Sequence, residues 1–107
     1  MAVQTPAHID VGDAISVRKQ LEQHLQEREE ILRQLEPRAL PSVDPIAYQT
    51  VASTRLVVKQ ISAALQRLDA GTYGQCVRCG SQIPPARLGV VPHASACVAC
   101  HGRGEAA

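Results

Sequence analysis

Two short cysteine pairs constrain this chain more than any other feature: Cys76 and Cys79 enclose Val77 and Arg78, Cys97 and Cys100 enclose Val98 and Ala99, and seventeen residues separate the pairs. A C-x-x-C turn sets two sulfurs on one side of a tight loop, and a spacer of this length lets the second pair come round to complete a tetrahedron of thiolates. Gly80, directly after the first pair, eases that turn. Tetrahedral thiolate ligation selects zinc or iron, and this spacing points to Zn2+ held by Cys76, Cys79, Cys97 and Cys100. Four protein ligands leave no place for a catalytic water, so the site reads as structural. A redox pair of the thioredoxin kind would sit at the head of a helix in a βαβ unit, which this sequence lacks, and would not need a matched second pair. His93 and His101 beside the second pair read as bystanders, and His8 and His24 as solvent-facing.

With 107 residues the chain has room for one compact domain, or a small one attached to an extended element. Apolar residues make up 45% of it and aromatic ones only 2%, with two Tyr and neither Phe nor Trp. Aliphatic side chains must therefore do the packing, which suits helix-to-helix seams better than a small β-barrel. A small globular end built without large rings needs a staple, and the cysteines supply one. The formal net charge is +1, and the basic residues from Arg18 to Arg103 form no cluster of five or more. Direct binding to DNA or RNA through counterion release is thus disfavoured, and so few aromatic residues argue against base stacking. No segment approaches the ~18 continuous apolar residues of a membrane span, and the first dozen residues lack a leader pattern. A soluble, cytoplasmic protein is expected, and in that reducing compartment paired cysteines bind metal rather than each other.

Residues 1–12 show no sustained period and are expected to form a flexible lead-in. From about Asp13 to Glu36 good helix formers dominate, and Leu21, Leu25, Leu32 and Leu35 share a stripe in which Arg28 fills the remaining seam position. Pro37 ends that run, Pro41 discourages its resumption, and Asp44 before Pro45 supplies a cap and a first-turn proline for a second helix. Its seam, Ala47, Val51, Thr54, Val58, Ile61, Leu65 and Leu68, alternates steps of four and three until Gly71 terminates it. The short connection folds the two helices back on each other. The expected fold class is mainly α: an antiparallel coiled-coil hairpin over 13–70, its tip near 37–46, joined to a small four-cysteine zinc finger over 71–107.

From Leu65 to Cys100 the sequence carries more than a generic ribbon. The string Leu68, Asp69, Ala70, Gly71, Thr72, Tyr73, Gly74, then Cys76, Cys79, Gly80, Ile83, Pro84, Arg87, Leu88, Pro92, Ala94, Cys97 and Cys100 resembles the DksA/TraR family of bacterial zinc-finger proteins. The resemblance covers roughly a third of the chain specifically. It implies a non-catalytic transcription regulator that binds bacterial RNA polymerase, inserting the coiled-coil tip into the secondary channel while the finger anchors outside, without contacting DNA. It also implies an acidic side chain at the tip, for which Asp44 is the candidate, either as helix cap alone or as cap and polymerase contact. Arg78 and Arg87 are candidates for surface contacts.

The chain departs from the long members of that family at several places. Where they carry two tip aspartates and an alanine, Pro41, Asp44 and Ile46 stand here. Where they use basic residues for the alarmone ppGpp, Val91 and His101 stand here, so alarmone dependence of that kind is expected to be weak or absent. The competing reading is a zinc-ribbon adaptor whose hairpin mediates dimerisation or binds another protein. No positioned nucleophile and base, carboxylate pair or phosphate-cradling loop points to an enzyme.

Overall fold

The computed structural model describes residues 11–101; the expected lead-in, apart from Val11 and Gly12, and the residues after His101 lie outside it. Four helical segments follow in order: α1 (Val11–Leu35), α2 (Pro45–Ala70), α3 (Pro85–Val90) and α4 (Val98–Cys100), with a 3-10 turn, Glu36–Arg38, after α1. Helix α1 takes in Val11 and Gly12, which the sequence reading assigns to the lead-in.

The local chemistry that starts and stops α2 is complete. Asp44 accepts a side-chain hydrogen bond from the Ala47 N–H at 3.0 Å, and Pro45 occupies the first helical position, where its missing N–H costs nothing. At the other end Gly71 takes a φ of 80°, in the left-handed region, and the N–H groups of Gly71 and Thr72 bond back to the carbonyls of Leu68 and Arg67. That pattern closes a helix with its last carbonyls satisfied.

Helices α1 and α2 run antiparallel, as their cross-pairs require: Arg18 bonds Asp69 near one end, and Arg55 bonds Glu36 at 2.8 Å near the other. Between them Leu21, Ile61 and Ala64 are fully buried, with Val17, Leu25, Val57, Leu65 and Leu68 half-buried around them. Fully burying one such Leu or Ile is worth about 1.5–3 kcal/mol. Nearer the tip α2 buries only small side chains, Ala47, Val51 and Thr54, and Thr54 satisfies its hydroxyl on the Thr50 carbonyl at 2.7 Å.

The seam of α2 drifts away from a strict heptad. Ala64 is buried and Val57 joins the core, whereas the heptad names only Val58 and Leu65 at those turns. An α-helix of 3.6 residues per turn rotates by about 20° per heptad against a 3.5 repeat, and here the drift is used. At the base of the hairpin the finger is a second packing partner, contributing Tyr73 and Leu88 to the same cluster.

Candidate metal centre and rod tip

The first cysteine pair sits in a turn closed by backbone bonds. Cys76 N–H donates to the Ser81 carbonyl at 2.8 Å, Gly80 N–H donates to the Cys76 carbonyl at 2.9 Å, and Gln75 faces Gln82 in a single antiparallel bridge. Gly80 adopts a φ of 78°, which a side chain would resist. The second pair brackets α4: Cys97 precedes its first residue, Cys100 is its last, and the His101 N–H returns to the Cys97 carbonyl at 2.9 Å. A Val77 N–H bond to the Ser95 carbonyl at 2.9 Å joins the two halves.

This arrangement brings the four sulfurs of Cys76, Cys79, Cys97 and Cys100 within 4.8 Å of one another. None of the four is tied up in a disulfide; Cys76 and Cys100 are buried and Cys79 is exposed. Backbone N–H groups, those of Cys97 and Cys79 foremost, lower the Cys76 pKa to about 6. The Ser81 hydroxyl, 2.7 Å from the Cys79 sulfur, lowers that thiol as well. Burial, then the neighbouring sulfurs, push Cys100 up to about 12. Two thiols are primed to ionise and a third is held back where negative charge accumulates, which is the electrostatic demand that a divalent cation among four thiolates meets. The donor set and its compactness fit a tetrahedral metal ion with soft ligands.

Ile83 and Ala96 pack against Cys76 and Cys100, and Leu88 of α3 belongs both to this cluster and to the hairpin core. Leu88 thereby couples the cysteine centre to the rod. Two hydrogen bonds reinforce the joint: the buried Tyr73 hydroxyl donates to the Pro92 carbonyl at 2.8 Å, and Arg67 Nη2 donates to the Ala94 carbonyl at 3.3 Å. Arg67 Nε and His93 Nδ1 are buried here with no partner among the described residues. His24, expected to face solvent, is half-buried beside this joint, where it bears on His93. His8 lies outside the described residues.

The remaining candidates are dispersed. Arg78 is exposed within the first cysteine turn, and its N–H donates to the Cys76 sulfur at 3.4 Å. Arg87 is half-buried and donates Nε–H to the Ala96 carbonyl at 3.2 Å, which ties α3 to the segment leading into Cys97. Asp44 is at the far end of the hairpin, beyond the whole length of α2, whose 26 residues span about 39 Å. There its second oxygen accepts Arg38 Nε–H at 3.1 Å, and Leu40, Val43, Ile46 and Tyr48 are exposed around it. Sequence reasoning missed Arg38 and Arg67; Arg38 had a signal, since it shares the short tip with the acid it meets.

Residues 71–106 match the family model of the prokaryotic dksA/traR C4-type zinc finger. An uncharacterized protein of Aquifex aeolicus (strain VF5) is 33% identical over 93 residues, covering 77% of this chain and 63% of its own length. General stress protein 16O of Bacillus subtilis (strain 168) is 40% identical over 52 residues, 48% of this chain and 32% of that protein. The chain thus spans less than two thirds of either relative. Among solved structures, the fold is shared with transcription factor DksA2 from Pseudomonas aeruginosa, with a TM-score of 0.71 at 24% identity over 95% of this chain and 90% of that one. It is shared also with the RNA polymerase binding protein and transcriptional regulator Dks from Chlamydia trachomatis L2 (LGV434), with a TM-score of 0.60 at 20% identity over 92% and 93%.

Proposed function

We propose that this chain, whose residues 71–106 match the DksA/TraR C4 zinc-finger model, is a non-catalytic transcription regulator of that family that binds bacterial RNA polymerase, its rod entering the secondary channel. The observation that carries this reading is the placement of a tip carboxylate, Asp44, at the end of a rod whose other end is stapled to the cysteine cluster. Residues 13–70 serve as the inserting rod and 71–107 as the anchoring finger, working in the cytoplasm where the polymerase is. Cys76, Cys79, Cys97 and Cys100 would hold Zn2+, which when bound offsets half of the negative charge of the crowded thiolates and fixes the finger's fold.

In this reading the chain's own residues divide the work. Leu88, Tyr73 and Arg67 keep the finger at a fixed angle to the rod, so that docking outside determines where the tip arrives. The small buried side chains Ala47, Val51 and Thr54 let the two helices approach closely, which keeps the rod slim towards the tip. Asp44 brings a negative charge near the catalytic magnesium or basic loops of the polymerase and alters their field without joining the chemistry. Arg78, exposed in the first cysteine turn, is proposed to meet the polymerase exterior, and Arg87 to steady that surface. With Val91 and His101 at the positions in question, ppGpp is not expected to enhance the effect.

The test is binding of the zinc-loaded protein to core RNA polymerase, together with a transcription assay on Asp44→Asn. Saturable binding by both proteins, with the effect on transcription lost only in the variant, is the expected result. Equal regulation by both would remove Asp44 from the mechanism.

A further inference from the structure

The two carboxylate oxygens of Asp44 have separate partners. Oδ1 accepts the Ala47 N–H at 3.0 Å and so caps α2, while Oδ2 accepts Arg38 Nε–H at 3.1 Å. The pair is unevenly exposed, 59% for the Arg38 side chain against 33% for Asp44, so the arginine is the more accessible side chain of the two at the end of the rod. The turn builds this arrangement. Arg38 closes the 3-10 turn, its carbonyl accepts the Leu40 N–H at 2.9 Å, and the Leu40 carbonyl accepts the N–H groups of Val43 and Asp44 at 3.0 and 2.9 Å. That ladder returns the chain so that the acid arrives against the arginine. A guanidinium at hydrogen-bond distance cancels most of a carboxylate's field beyond the pair. The exposed Leu40, Val43 and Ile46 around it are uncharged.

We propose that Arg38 is a positioning residue that clamps Asp44 and limits how much of its negative charge the rod delivers, an inference that rests on the tip-insertion reading above. The cap and the clamp use different oxygens, Oδ1 for the Ala47 N–H and Oδ2 for Arg38, so the cap is expected to survive removal of Arg38. Removing Arg38 therefore frees Oδ2 for a metal ion or a basic loop of the partner while α2 still starts at Pro45. Arg38→Gln and Asp44→Asn act in opposite directions, and they are epistatic: with residue 44 neutral, Arg38 has no charge to restrain.

The experiment uses the full zinc-loaded chain as wild type, Arg38→Gln, Arg38→Lys, Asp44→Asn and the Arg38→Gln/Asp44→Asn double variant. Each is titrated onto core RNA polymerase, and the fractional change in transcript yield is read at saturating protein, which separates strength of effect from affinity. The expected result is a change about threefold larger for Arg38→Gln than for wild type, the scale of one exposed ion pair. Arg38→Lys restores a near wild-type effect, and the double variant matches Asp44→Asn alone. A wild-type response from Arg38→Gln at saturation, or an Arg38→Gln effect that persists with Asp44→Asn, overturns the clamp while tip insertion stands. Failure of the wild type to bind polymerase overturns both.

Discussion

Asp44 is a residue whose structural and functional roles can be separated by chemistry. Asparagine caps a helix about as well as aspartate, so Asp44→Asn removes charge and spares the start of α2, whereas Asp44→Ala also loses the cap at about 1 kcal/mol. Only the alanine variant should lower the thermal midpoint. His93 is the second informative residue. Burial first, then the positive charges of His24, Arg28 and Arg67, hold its pKa below the ordinary 6.5. His24 and Arg28 lie on α1, Arg67 on α2, and Lys59 of α2 lines the same 380 Å³ hollow as His93. The unfolded chain takes up this proton near 6.5 and the folded chain only at lower pH. Stability from this group is therefore present above pH 6.5 and falls as acid is added through the interval below it. Thermal melts of the zinc-loaded protein should drop on acidification with a shallower slope in His93→Gln, while protonation of the zinc ligands, common to both, cancels. Equal slopes would contradict the assignment.

At the scale of elements, the hairpin and the finger differ in what holds them. The hairpin has its own buried cluster in Leu21, Ile61 and Ala64, whereas the finger's apolar centre consists of two cysteines, Ile83 and Ala96. Chelation of the metal should then disperse order from the finger while most of the helical circular dichroism persists, loosened only at the base where Tyr73 and Leu88 pack. Loss of the helical signal in step with the metal would show that the rod does not stand alone. The same contrast explains what a reader of the sequence can see. The start of α2 at Asp44 and Pro45 and its stop at Gly71 are written in adjacent residues, and the meeting of the two C-x-x-C pairs is written in their spacing. The burial of Ala64, the half-burial of His24 and the bond from Arg67 to Ala94 are not, because each depends on where a distant element packs. Heptad counting placed the seam well near the tip, where only two helices meet, and less well at the base, where the finger adds a third surface.

The whole molecule is elongated, 58 × 31 × 21 Å, with the cysteine centre and the acidic tip near opposite ends of the hairpin. No helix among the described residues is long and apolar enough to cross a membrane, and the exposed apolar side chains at the tip, Leu40, Val43 and Ile46, suit a protein surface. The rod should act as a ruler: the finger docks, and the length of α2 sets how deep Asp44 reaches. Photo-cross-linking tests this most directly, with the photoreactive group placed at Val43 in the tip and, in a parallel sample, at Val98 in the finger, both well exposed. Val43 adducts are expected with the wall of the polymerase secondary channel and Val98 adducts with the outer surface. Adducts from Val98 alone, or from neither position, would contradict tip insertion.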